Sequence, residues 1–411
     1  MKKHNLSLYP AAAALLFCAG HASAQQTVFI GALHDTTGVT AQVGREFADA
    51  KTDAVKWINE NGGVNGKKIE MDAVDYAYKA PNAVGAYKKW MSGSRKPVAI
   101  LGYGTADTEA LVGFVNTDKI IYFSQANPAS LTDPAGASKR VDKPTPYNFF
   151  HGPSYSDACR AELKYFNDQW KTQAKKGKPK FAFMGDNHPF ANSHRETCQA
   201  YATEIGYDVV PAIQYSMRPG DYKAQCLTLK ESAADIAYLG NTGDSNISVL
   251  KSCETVGVKA KFFTNVWGYS ELVLEAAGQA AAGVIAPFPV APWGMNSAAG
   301  AKTISAIAGG KPRTSYYIAA VCSVFYVKEA LEWADKNGGI TGEKVRQGMY
   351  QKKDWVPKGL EGQCAPATWT ASDHRSMTSA TLWEGQFRDG KPAWKYIGDV
   401  AMPREEKWFG R

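Results

Sequence analysis

Beyond its first two dozen residues, the 411-residue chain has no run of about 18 uninterrupted apolar residues, the length a membrane-spanning helix needs. It has no G-x-S-x-G, no H-E-x-x-H and no P-loop lysine motif, so the signatures of serine hydrolysis, zinc proteolysis and phosphate cradling are all missing. Histidine is scarce, at seven residues, and no two cysteines stand in a C-x-x-C arrangement, so neither a metal site nor a cofactor is expected. His188 and His194 are six apart and do not share a helical face. Asp186 and His188 have the composition of an acid–base pair, but an Asp at a strand end reads first as a helix-entry cap. The absences point away from an enzyme.

The charge is present but undirected. The net charge is +8, and its densest run, Lys171 to Lys180 ("KTQAKKGKPK"), joins a helix to a strand as a solvated loop, which excludes a nucleic-acid role. Lys2 and Lys3, the apolar run Ala11 to Ala19 and the small-x-small site Ala22-Ser23-Ala24 make a cleavable secretory signal over residues 1–24. The mature chain is therefore expected in the periplasm. Cys18 leaves with the signal, and six cysteines remain in an oxidising compartment: Cys159, Cys198, Cys226, Cys253, Cys322 and Cys364. Six cysteines permit 15 pairings. Pairing between chain neighbours, 159 with 198, 226 with 253 and 322 with 364, is the expectation.

The organisation is legible from hydrophobic rhythm. Val28 to Leu33 is a short continuous apolar run, the mark of a strand covered on both faces. A helix over Val43 to Asn59 follows, then "INENGGVNGKKIEM" (58–71), where glycines stop the helix and Asn65-Gly66 turns the chain into a strand at Ile69 to Val74. Helix Pro81 to Met91, strand Val98 to Leu101, helix Thr108 to Asn116 and strand Ile120 to Phe123 continue the alternation. It restarts with helix Ser156 to Trp170 and strand Lys180 to Met184, then helix Ala191 to Ile205, strand Asp208 to Pro211 and helix Asp221 to Glu231. Strand Ile236 to Leu239, helix Ile247 to Val256 and strand Lys261 to Thr264 follow. Alternation of this kind predicts two α/β lobes, each with a doubly wound parallel sheet. The chain left over, with a long helix at Tyr316 to Lys336 and a β-rich tail, predicts that both lobes are discontinuous and joined by a multi-strand hinge. Lobe one is placed at 25–149 and 287–352, and lobe two at 150–286 and 353–411.

Ligands of doubly wound sheets bind beyond the carboxyl ends of the strands. That rule selects Tyr103 and Thr105 in "GYGTADTEAL", Ala126 and Asn127 in "SQANPASLT", Phe190 in "GDNHPFANS", Asn241 and Thr242 in "GNTGDSN" and Trp267 in "NVWGYS". Hydroxyls and bare backbone on the first lobe and aromatics on the second predict a cleft with one polar and one aromatic wall.

The ordered landmarks "INENGGVNGKKIEM", "DYAYKAPNAVGAYKKW", "PVAILGYGTADTEA", "DKIIYFSQANPASLT" and "GDNHPFANSHRE" resemble those of the type I periplasmic solute-binding proteins of ABC transporters, specifically the Leu/Ile/Val-binding protein family. The resemblance spans nearly all of the mature chain. It implies the periplasmic binding protein type I fold, hinge closure on a small-molecule ligand, a monomer, and an inner-membrane permease as partner. It places the family's carboxylate-holding hydroxyl at Thr105, a backbone N–H donor near Ala126, a further hydroxyl near Asn127 to Ser130, and aromatics at Phe190 and near Asn241. The acid that pairs with an amino-acid ligand's ammonium should fall in "TNVWGY", which has Val266 and Trp267 and no carboxylate. Burying an unpaired ammonium is costly. The resemblance with this departure implies a carboxylate or amide without an ammonium, with aromatic flanks suited to an aromatic body. The alternatives are amino-acid binding rescued by Asp35 or Asp244, and a ligand-sensing partner of a membrane receptor.

Overall fold

The computed structural model describes residue 1 and residues 27–137, 143–295 and 299–411; the expected signal segment lies outside the described residues. The chain begins with β1 (Thr27–His34), whose interior residues are almost all shielded, and turns into α1 (Ala41–Glu60). α1 lays Val43, Phe47, Ala50, Ala54 and Ile58 on the core, the i, i+3/i+4 stripe of an amphipathic helix. Asn61 caps it, and Gly62, Gly63, Asn65 and Gly66 all take positive φ. This tight exit is clipped to the rest of the fold through Lys67, 2.7 Å from Asp335. It hands the chain to β2 (Lys68–Asp75).

The first lobe continues through α2 (Ala80–Ser92), β3 (Ala99–Leu101), α3 (Thr105–Asp118), β4 (Ile121–Ser124) and β5 (Asn148–Phe150). Its sheet runs β2-β1-β3-β4-β5, parallel throughout. Strand order reverses between β1 and β3, which opens the crevice where such sheets hold ligands.

The second lobe repeats the plan. It comprises α4 (Tyr155–Thr172), β6 (Lys180–Gly185), α5 (Pro189–Asn192), α6 (Arg195–Glu204), β7 (Asp208–Val209), β8 (Ile213–Gln214), α7 (Lys223–Glu231), β9 (Ile236–Leu239), α8 (Gly243–Val256), β10 (Lys261–Thr264), α9 (Glu271–Ala277) and β11 (Ile285–Pro287). The order β7-β6-β9-β10-β11 matches that of the first sheet, with its switch between β6 and β9. The single helix expected over 191–205 is broken at Ser193 and His194. His194 is fully buried and its ring packs against Tyr155, Phe183 and Tyr238, so the turn is bent to seat an imidazole. The strand expected over 208–211 stops at Val209, two residues before Pro211, which has no N–H to give a ladder.

After β11 come α10 (Ala301–Ile307), α11 (Ser315–Lys336) and α12 (Gly342–Met349), then the hairpin β12 (Ser379–Arg388) and β13 (Lys391–Ala401). The long helix packs on α1, and the hairpin extends the second sheet beyond β11. Both hairpin contacts are antiparallel. The β-rich tail thus adds an antiparallel edge to the parallel strands of the second sheet; the two-residue connection between β12 and β13 reverses the chain and cannot produce a parallel neighbour.

Three passages of chain run between the sheets and are knitted to one another. Gly152 N–H donates to Ser376 Oγ at 2.7 Å, Ala365 N–H to Pro289 O at 2.9 Å, and Trp369 Nε1–H to Phe150 O at 3.0 Å. The three expected disulfides are present: Cys159–Cys198 joins α4 to α6, Cys226–Cys253 joins α7 to α8, and Cys322–Cys364 ties α11 to this crossing region.

The crossing also buries His374, stacked on Phe149, with Nδ1 2.6 Å from Asn148 O and Nε2 2.7 Å from the Tyr350 hydroxyl. Burial pushes its pKa down to about 3. Below pH 6.5 the unfolded chain takes a proton that the folded protein refuses, so stability falls with acid from pH 6.5 toward 3. The slope from this residue is about 1.4 kcal/mol per pH unit. His374→Gln should give a less stable protein whose urea-unfolding free energy depends less steeply on pH between 6 and 4.5. Parallel pH curves for the two proteins would remove His374 from the acid response.

Candidate functional site

The carboxyl ends of both sheets face a cavity of about 280 Å³ of atom-free space. Its wall is Thr40, Val43, Phe47, Tyr78, Tyr103, Gly104, Thr105 and Gln125 from the first lobe, and Tyr155, Phe190, Thr242 and Trp267 from the second. Every member lies on α1 or near the exit of a strand: Thr40 after β1, Tyr78 after β2, Tyr103 to Thr105 after β3, Gln125 after β4, and Tyr155, Phe190, Thr242 and Trp267 after β5, β6, β9 and β10. No charged side chain is among these lining residues.

A second, larger groove, with about 1510 Å³ of atom-free space including open solvent, lies at the opposite ends of β9 and β10, lined by Phe166, Trp170, Lys175, Lys230 and Lys259 among others. It sits among the C-terminal ends of α4, α7 and α8, and Lys230 Nζ donates to Val256 O at 2.7 Å. Lysines there offset the negative ends of the helices. The interlobe cavity is the better candidate because it holds buried polar atoms with no use inside the protein.

The first of these is Thr105 Oγ1, buried and without a hydrogen-bond partner of good geometry. Thr105 opens α3, where helix N–H groups are unpaired and the macrodipole is positive. The neighbouring hydroxyls are already committed: Thr108 Oγ1 meets Gly104 O and Ser124 Oγ, both at 2.6 Å. The α3 entry is held by Asp107, which accepts from Tyr103 N–H, Gly104 N–H and the Tyr76 and Tyr122 hydroxyls. Burial raises the Asp107 pKa, and these four donors oppose the rise. Behind it Lys51 donates to Leu33 O, Leu101 O and Gly102 O; its pKa is pushed down to about 7 by burial, with Asp107 opposing. Both ions are spent on the switch point between β1 and β3 and leave the cavity neutral.

The Tyr78 and Tyr155 phenols lie beside Thr105; burial raises both pKa values, so both are neutral donors. Tyr155 accepts from Trp267 Nε1–H at 2.9 Å, which leaves its own proton free to donate. Ala77 and Tyr78 both sit at positive φ, 52° and 56°, a costly conformation for residues with side chains. Gly104 accommodates the result, since a Cβ there would stand 2.2 Å from the Tyr78 ring. Across the cleft, Trp267 packs edge-on to Phe47 at 5.2 Å and Tyr78 stacks on His188 at 5.3 Å.

Of the residues singled out by sequence, Tyr103, Thr105, Phe190, Thr242 and Trp267 meet at this cavity. Ala126, Asn127 and Asn241 are buried but do not line it. The Ala126 N–H donates to Ser124 Oγ at 2.8 Å. Asn127 donates to Pro153 O at 3.2 Å and its carbonyl accepts from Tyr155 N–H, within the crossing passages. Asn241 donates to Tyr215 O and Ser216 O and accepts from Asp186 N–H, bracing loops of the second lobe. Asp186 itself accepts from Met217 N–H, and His188 caps α5 by accepting from Phe190 N–H. The expected polar and aromatic walls are not separated. Phe47, Tyr78 and Tyr103 bring aromatics to the first lobe, and Thr242 and Tyr155 bring hydroxyls to the second. Asp35 is consumed by its own loop, accepting from Gly38 N–H, Thr40 N–H and Thr40 Oγ1–H. Asp244 lies off the wall; burial raises its pKa and Arg45 opposes.

Two doubly wound lobes facing one neutral cavity across a knitted crossing define a two-lobed solute-binding protein. The sequence profile described as "Periplasmic binding protein" matches residues 27–391, and the chain belongs to that family. It is 24% identical over 338 residues to the Leu/Ile/Val-binding protein homolog 1 of Brucella abortus (strain 2308), covering 80% of this chain and 84% of that protein. It is similar in fold to a branched chain amino acid ABC transporter from Thermus thermophilus with bound valine (TM-score 0.81, 20% identity, 92% of this chain and 97% of the other). It is also similar to a fatty acid ABC transporter substrate-binding protein from Thermomonospora curvata (TM-score 0.78, 19% identity, 93% of each chain).

Proposed function

We propose that this protein is the periplasmic solute-binding component of an ABC importer, and that its solute is a small organic carboxylate or amide without an ammonium group. Residues 1–24 act as the export signal. Residues 25–149 and 287–352 form one lobe and 150–286 and 353–411 the other, and the monomer closes by rotation about the crossing passages. The closed form is delivered to an inner-membrane permease; capture, not catalysis, is its work.

The observation that carries the reading is the pairing of a buried Thr105 hydroxyl, at the N-terminus of α3 beside the Tyr78 and Tyr155 phenols, with a cavity wall that holds no carboxylate. An anion or carbonyl is served there by a helix end and the Tyr78 and Tyr155 phenols. An ammonium has no counter-charge, since Asp35 is fully occupied. Of the three relatives, two are named for branched-chain amino acids and one for a fatty acid, whose carboxylate has no α-amine.

Thermal shift and titration calorimetry on ligand-stripped mature protein test it, with branched-chain and aromatic amino acids beside their amine-free acids and amides. A bound ligand at a hundred times its Kd adds about 2.7 kcal/mol. The amine-free series should shift the transition and the amino acids should not. Thr105→Val should weaken binding by about 10- to 100-fold, the worth of a buried charge-assisted hydrogen bond. A shift with amino acids alone would reject the ligand class.

A further inference from the structure

The second lobe, like the first, brings a buried threonine hydroxyl at a helix end to the cavity, and this one has no partner. Thr242 is the N-cap of α8, a helix of 14 residues, yet its side chain makes no capping bond. Its Oγ1 is buried, has no hydrogen-bond partner, and belongs to a residue only 5% exposed that lines the cavity. An N-cap threonine ordinarily gives its oxygen to the N–H of the second or third helical residue. Here the backbone does the anchoring instead: Gly243 N–H donates to Trp267 O at 3.2 Å, and Thr242 O accepts from Asn246 N–H and Ser245 Oγ–H, both at 3.3 Å.

The local charges do not answer this hydroxyl. Asp244, the residue after Gly243, has its pKa raised by burial with the Arg45 charge opposing, and it is not on the cavity wall. Gln42 of α1 covers Gly243, where a Cβ would stand 2.5 Å from its Oε1, and so lies over the helix end beside Thr242 without bonding to it. The cavity thus has a buried threonine hydroxyl at a helix N-terminus on each side, Thr105 from one lobe, beside the Tyr78 and Tyr155 phenols, and Thr242 from the other, with no partner.

We infer that the solute is bifunctional: besides the group held at Thr105 it carries a second oxygen acceptor, a carboxylate or carbonyl, that seats on Thr242 and the N-terminus of α8 as the lobes close. This rests on the reading of the cleft as a site for amine-free acids and narrows it. Positive helix ends on both sides favour acceptors at both ends of a ligand, and the aromatic rings of Phe47, Phe190 and Trp267 cover the apolar body between them. A monofunctional acid leaves the Thr242 hydroxyl buried and unpaired, which is the larger part of the discrimination.

Titration calorimetry with matched pairs tests this on the ligand-stripped mature protein: butyrate against glutarate, and benzoate against terephthalate and 4-acetylbenzoate. In at least one pair the bifunctional member should bind 10-fold or more tightly. Thr242→Val should reduce that ratio to about one, Thr242→Ser should restore it, and Thr105→Val should weaken both members while keeping the ratio. Measurable binding with a ratio near one in the unaltered protein, or a ratio that survives Thr242→Val, overturns the inference and leaves the acid site standing. Binding of amino acids with no binding of any acid overturns the cleft assignment itself.

Discussion

Replacing Asp107 by alanine should lower stability by about 4 kcal/mol or more and should weaken ligand binding as well. The carboxylate is fully buried and gathers four donors, from Tyr103 N–H, Gly104 N–H, Tyr76 and Tyr122. Its removal leaves each of them without a partner away from water, at about 1–3 kcal/mol apiece. It also leaves Lys51 facing three carbonyls without its counter-charge, and an unpaired buried charge is itself strongly destabilising. The geometry of the site goes with it, because the two backbone donors set the turn that presents Tyr103, Gly104 and Thr105. Asp107→Asn separates the contributions. It keeps a side chain of the same shape that accepts through one oxygen, so it should retain more of the stability than alanine while losing affinity for the solute. Urea unfolding and titration calorimetry on both variants check this. An alanine variant with unaltered midpoint and affinity would mean that the β1–β3 switch point is held by something other than the Asp107 carboxylate and its four donors.

The sequence reached the loops of this site more surely than its atoms. The strand-end rule alone delivered Tyr103, Thr105, Phe190 and Trp267, because a doubly wound sheet fixes where its ligand must be whatever the ligand is. Thr242 was reached with its loop, but its place at a helix end was not: the helix was read from Ile247, whereas Thr-Gly-Asp at 242–244 carries its own N-cap signal and starts it at Gly243. Tyr155 follows β5, a three-residue strand whose "NFF" is too short for a period to show. Val43 and Phe47 occupy the buried face of α1. Periodicity reports that a face is covered, not whether protein or ligand covers it. Tyr78 was beyond reach for a different reason. Its place depends on two successive left-handed residues, Ala77 and Tyr78, and neither is a residue type that announces that conformation. Ser124 took the Ala126 N–H because a hydroxyl two residues away is a nearer partner than any solute.

Full reduction of the three disulfides should unfold the protein at physiological temperature or bring it close to unfolding. The bridged residues are 39, 27 and 42 apart in sequence, and the three loops do not overlap, so their constraints on the unfolded chain are independent. Chain-entropy estimates give about 4 kcal/mol for a loop of this size, and hence on the order of 10 kcal/mol for the set. That is comparable to the whole stability of an ordinary domain, about 5–15 kcal/mol. The bonds are unequal in what they guard. Cys159–Cys198 and Cys226–Cys253 staple helices within the second lobe, and the second of these ties down α8, whose other end carries Thr242. Cys322–Cys364 fastens α11 to the passages between the lobes, so its loss acts on closure as well as on folding. Cys322→Ala with Cys364→Ala should therefore lower the thermal midpoint and, at temperatures where the variant remains folded, weaken solute binding by more than the Cys159/Cys198 pair does. Calorimetry of unfolding and binding on the two double variants decides it. Equal loss of affinity in both would mean that the crossing bridge contributes stability alone and that closure does not depend on it.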